Sequence, residues 1–115
     1  MPMKSTLRAA FEAELRQAHE AEAEGELPRA WHHLERAHIL SQAYAGPHVR
    51  VHGLMFAFGW RRGDVGELLG QFARLLLAGP GSWLGRAPLG NTGGANVGIF
   101  SPMPIPEDLR ALLDA

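Results

Sequence analysis

Apolar residues recur at helical spacing along the first two-thirds of the chain and then lose their rhythm. Leu7, Phe11, Leu15 and Ala18 step by threes and fours over residues 5–24. Ser5 and Thr6 are N-cap types at the start of that stretch, and Gly25 breaks it. A second helix opens near Pro28, a good first-turn residue, and carries Trp31, Leu34, Ala37 and His38 to about Ala43. Gly46-Pro47 ends that helix and starts a third through Val49, His52, Phe56 and Trp60. Gly63-Asp64 then caps a fourth, with Val65, Leu68, Leu69, Phe72, Leu75 and Leu76 expected inward and Gly79-Pro80 as its end. A short last helix begins at Pro106-Glu107-Asp108, where proline and acids suit a helix N-terminus.

The pattern predicts an all-α fold: a four-helix array of two antiparallel helical hairpins over 5–78, an extended Gly/Pro-rich arm over 79–105, and a terminal helix over 106–114. Moving from position 25 to position 63 brings Gly25-Glu26 onto Gly63-Asp64 and Arg36 onto Arg74. Each unit is then helix, Gly-acid turn, helix, which is tetratricopeptide-like. A plain four-helix arrangement explains the same pattern. The arm has no periodicity but keeps Trp83, Leu84, Leu89, Val97, Ile99, Phe100, Met103 and Ile105 as apolar anchors. So many apolar side chains argue for an arm packed over the helices and against disorder.

Length and composition narrow the chemistry. At 115 residues the chain favours one domain, residues 1–115. It has no cysteine, so disulfides, thiolate metal sites and cysteine catalysis are excluded, and a cytoplasmic location fits. A net charge of -1 argues against nucleic acid, which calls for a basic face. No run approaches the ~18 apolar residues that a membrane span needs, and the N-terminus does not read as a signal peptide. Ser41, Ser82 and Ser101 lack a nucleophile-elbow context, and Gly90-Asn91-Thr92-Gly93-Gly94 matches no phosphate loop and reads as a turn.

Histidine is the informative residue. All six, His19, His32, His33, His38, His48 and His52, lie between positions 19 and 52. His48 and His52 are i,i+4 neighbours whose rings can reach one ion from one helical face. The turn between helices two and three centres near residue 45, so His38 and His52 sit at the same height in an antiparallel hairpin. Reflection about the first turn brings Glu14 to that height as well. His38, His48 and His52 are therefore the candidate metal ligands, completed by a carboxylate from Glu35, Glu67 or Glu14. Such a set suits a divalent transition metal: zinc, iron, copper or nickel. Glu35 and His38 also form one Glu-x-x-His step, whereas di-iron bundles need two. His19, His32 and His33 read as solvated. Glu67, Gln71 and Arg74 form a polar stripe on helix four that reads as a site wall or as a solvated face. Straight-hairpin geometry puts Glu67 roughly 10 Å from His52.

Leu34-Glu35-Arg36-Ala37-His38-Ile39-Leu40 with Gln42, His48, His52, Glu67, Gly70-Gln71 and Arg74 resembles a small bacterial family catalogued as a domain of unknown function. Gly85 to Gly93 and Pro102-Met103-Pro104-Ile105-Pro106 carry the same resemblance. It implies that His38, His48, His52, Glu67, Gln71, Arg74 and Asn91 form one motif set, with Gln71, Arg74 and Asn91 toward a bound small molecule. His48-x-x-x-His52 followed by Glu67 is also similar to the zinc motif of the ubiquinone-biosynthesis family called Coq-four. Val49 stands there in place of its aspartate, and the glutamate lies three residues further on. The leading expectation is a metal-binding helical protein for storage, sensing or metal-assisted small-molecule chemistry. Its rivals are a tetratricopeptide-like protein-interaction module and haem binding by His38 or His52 near Met55. The oligomeric state is left open, a dimer included.

Overall fold

The computed structural model describes residues 2–64, 66–73 and 104–115. Every regular element among them is an α-helix: α1 (Ser5–Ala23), α2 (Leu27–Ser41), α3 (Ala45–Arg62), α4 (residues 66–73) and α5 (Glu107–Asp114). The expected helix starts and ends fall within a few residues of these bounds, except that the expected end of α4 at Gly79-Pro80 lies outside the described residues. The arm expected over 79–105 lies, apart from its last two positions, outside the described residues, as do Val65, Leu75 and Leu76.

The turn after α1 and the turn after α3 are built alike. Gly25 has φ 77° and Gly63 has φ 69°, the left-handed region that glycine enters without a Cβ penalty. After α1, Gly25 N–H donates to Glu22 O and Glu26 N–H to Ala21 O. After α3, Gly63 N–H donates to Trp60 O and Asp64 N–H to Gly59 O. Both are Schellman motifs, which reverse the chain while satisfying the last carbonyls of the helix. Asp64 then serves the next helix, its Oδ1 accepting from Glu67 N–H at 2.9 Å.

The core forms around α2. Phe11, Ala21, Ala37, Leu40, Val51, Met55 and Leu109 are fully buried, drawn from α1, α2, α3 and α5. Burying a side chain such as Phe11 or Leu40 contributes about 1.5–3 kcal/mol. Ala18, Ala21, Ala30 and Ala37 are small residues buried on α1 and α2, and they let those backbones approach closely. α2 packs against α1, α3 and α5, and α5 also touches α1. Ion pairs tie α1 to α3 at the rim, Arg50 to Glu12 and Arg61 to Glu22.

Polar contacts fix the terminal helix. Arg36 Nη2 bonds Asp108 Oδ2, and Arg36 Nε donates to Glu14 Oε1 at 2.8 Å. The hydrogen bond from Arg36 holds Asp108 below its ordinary carboxylate range, and the same bond holds Arg36 above its ordinary value. No described helix is long and apolar enough to cross a membrane.

Candidate metal centre

The α2–α3 hairpin assembles three histidines. Its turn is three residues long, and Tyr44 N–H closes it on Ser41 O at 2.9 Å. A turn this short keeps the helices in register, so His38 on α2 meets His52 on α3. His48 lies one turn before His52 on the same face of α3. All three are buried, at 3%, 6% and 3% exposure. Their Nε2 atoms make a nearly equilateral triangle: 2.9 Å from His48 to His38, 3.0 Å from His38 to His52, and 3.1 Å from His52 to His48. The ring planes are inclined at 66°, 76° and 46°, so the imidazoles converge edge-on and do not stack.

A polar chain on α4 sets the protonation of one ring. Glu67 Oε2 accepts from Gln71 Nε2 at 2.8 Å, which orients the amide and points its oxygen at His52. His52 Nδ1 lies 2.6 Å from that Oε1. An amide oxygen only accepts, so Nδ1 carries the proton, and the Nε2 of the neutral ring presents a lone pair to the triangle. A metal-ligating histidine typically has its second ring nitrogen held in this way.

The expectation that Leu69 and Phe72 of α4 face inward is not met. They are 68% and 57% exposed, while Gln71 between them is fully buried. Glu67 and Gln71 thus lie on the side of α4 toward the histidines, while Leu69 and Phe72 face out. His52 offers a buried N–H that only a polar partner can satisfy, and Gln71 supplies it.

The converging donors among the described residues are His38, His48 and His52. Glu67 reaches them through Gln71. Glu35 is half-buried on α2. Glu14 does not join the histidine layer. It is buried, but its Oε2 lies 2.6 Å from His33 Nδ1 and its Oε1 takes the bond from Arg36. α1 and α2 meet on a different face of α2 from the one that carries His38. That pairing also corrects the reading of His33 as solvated, since its side chain is 13% exposed. His19 and His32 are exposed as expected. Arg74 and Asn91 lie outside the described residues. The Glu14 network was half visible in the sequence, since a glutamate on the apolar stripe of α1 demands a buried cation or donor.

A family model described as a protein of unknown function (DUF3703) matches residues 5–113. The chain belongs to this family. No curated protein and no solved structure matches the chain. Members of the family carry no assigned activity in that description, so the chemistry must come from the site itself.

Proposed function

We propose that this protein binds one divalent transition metal through Nε2 of His38, His48 and His52. The observation that carries this reading is the triangle of ring nitrogens. Each imidazole nitrogen has one in-plane direction, occupied by a proton or a lone pair, and so makes one well-aligned contact. Three nitrogens about 3 Å apart and aimed inward cannot all be served by N–H···N bonds. A cation over the triangle serves all three at once. Imidazole suits zinc, iron and copper alike.

Glu67 and Gln71 orient His52, and Arg74 and Asn91 are assigned to contacts with a small molecule at the metal. Three protein ligands leave positions open, which is the form of a reactive centre more than that of a closed structural one. Metal-assisted chemistry on a small molecule is therefore preferred to storage. Thermal denaturation tests the reading. Stoichiometric metal should raise the midpoint of the chelator-treated protein, because a ligand that binds only the folded state stabilises it. A midpoint unmoved by zinc, ferrous iron and copper would contradict it.

A protein-interaction module is the second reading, and one observation favours it. Trp60, Leu69 and Phe72 are apolar and 57–70% exposed on α3 and α4. This reading expects a partner protein to bind irrespective of metal, and to bind the His38→Ala variant equally well.

A further inference from the structure

Trp31, Phe58, Gly59, Arg62, Asp64 and Glu67 line a cleft of about 400 Å³, and none of the three clustered histidines lines it. We infer that this cleft binds a compact zwitterion with an aromatic body, a molecule of the α-amino acid class. The inference stands apart from the metal-binding reading.

The apolar part of the cleft suits a ring. Trp31 and Phe58 have ring centroids 5.5 Å apart and planes inclined at 44°, so the two rings form a wedge. A third ring packs favourably against such walls, at centroid distances of about 4.5–7 Å. Phe58 is 9% exposed and Trp31 is half-buried, so packing on α3 and α2 fixes both walls. Gly59 adds no side chain to the floor, where a Cβ would lie 3.7 Å from Glu67 Cβ. Ligand pockets run to about 300–1,000 Å³. This one is at the small end and takes a compact molecule, not a large cofactor.

The rim carries one cation and one anion, Arg62 and Asp64, on either side of Gly63 in the chain. The ion pair of Arg62 is with Glu22, at 3.4 Å. That carboxylate is already held by Arg61, at 2.6 and 2.7 Å. Arg62 therefore keeps N–H groups that no described residue accepts, and its guanidinium carbon lies 5.9 Å from the Phe58 centroid. Asp64 Oδ1 accepts from Glu67 N–H at 2.9 Å, and its Oδ2 has no partner among the described residues. A ligand with a carboxylate alone would bring that charge beside Asp64. A ligand with an ammonium alone would bring its charge beside Arg62. A zwitterion gives each rim group an opposite charge, and its ring enters the wedge.

Calorimetric titration of the full-length protein with L-phenylalanine tests this, beside hydrocinnamate and phenethylamine, which each lack one of the two charges. The expected result is saturable binding of one equivalent of L-phenylalanine. Each analogue should bind about fivefold or more weakly, the upper range for an exposed ion pair. Arg62→Gln should bring the amino acid down to the affinity of the amine. Asp64→Asn should bring it down to that of the acid, and asparagine preserves the helix cap. No saturable binding at millimolar concentration would overturn the inference. So would analogues that bind as tightly as the amino acid, or folded Arg62→Gln and Asp64→Asn variants that keep the parent's affinity. An amino acid also chelates metals, so the His38→Ala variant is titrated as well. It should bind like the parent, and loss of binding there would assign the ligand to the histidines and overturn the cleft.

Discussion

Replacing Gln71 with leucine isolates the contribution of the α4 chain without touching a metal ligand. Gln71 is fully buried, so the substitution fills a closed site and brings no water to it. The bonds lost include one of 2.6 Å to His52 Nδ1 and one of 2.8 Å to Glu67 Oε2. His52 Nδ1–H is left without its acceptor in a residue that is 3% exposed, at a cost of about 1–3 kcal/mol. The ring is then free to turn or to move its proton to Nε2, which removes the lone pair from the triangle. Loss of such a supporting partner lowers metal affinity by roughly 10–100-fold, or about 1.4–2.8 kcal/mol. Chelator competition measures the affinity, and circular dichroism checks that the variant is folded. Gln71→Glu keeps an acceptor for Nδ1–H but sets a second carboxylate against Glu67, so it should recover part of the loss. A folded Gln71→Leu protein with the parent's affinity would refute the claim that α4 orients His52.

Other perturbations address the remaining parts of the account. Gly25→Ala should lower stability by about 1–2 kcal/mol in urea denaturation, since φ 77° is a left-handed conformation and a Cβ there meets nothing within 4 Å. Gly53→Ala, in the interior of α3 with equally open space, should instead stabilise by about 0.5–1 kcal/mol, and equal effects at the two positions would contradict the capping argument. The hydrogen bond from Arg61 lowers the Glu22 carboxyl below its ordinary 4.5, so the pair stabilises the fold above that pH. That contribution fades as pH falls through the lowered value. Arg61→Met should therefore flatten the acid limb of the stability profile, by under about 1 kcal/mol because Arg61 is half exposed. Protons compete with the metal for the same lone pairs, so affinity should fall as pH drops below about 6.5, and a pH-independent affinity would exclude histidine ligation.

Much of this could be read from the sequence because it depends on local rules. Gly25 and Gly63 announced both helix ends, since left-handed caps select glycine whatever surrounds them. His38, His48 and His52 could be matched by counting from a short turn, because a three-residue connection leaves little freedom of register. Counting failed for Glu14. Equal height along a hairpin does not say which side of α2 each neighbour occupies, and Arg36 with His33 claims Glu14 on another side. It failed again at α4, where Leu69 and Phe72 read as part of the inward stripe but are exposed. An apolar stripe turns inward when the surface it meets is apolar, but the surface near α4 holds the His52 N–H, and Gln71 turns toward it. The Glu67–Gln71–His52 chain is thus a tertiary feature, visible beforehand only as a polar stripe of ambiguous facing.

The most direct test of the central claim is elemental analysis of the untagged protein, set beside the His38→Ala and His52→Ala variants. The account predicts close to one equivalent of a transition metal in the parent and none in either variant, with both variants still helical by circular dichroism. A parent without metal after growth in metal-replete medium and reconstitution, or folded variants that keep the parent's metal, would contradict it.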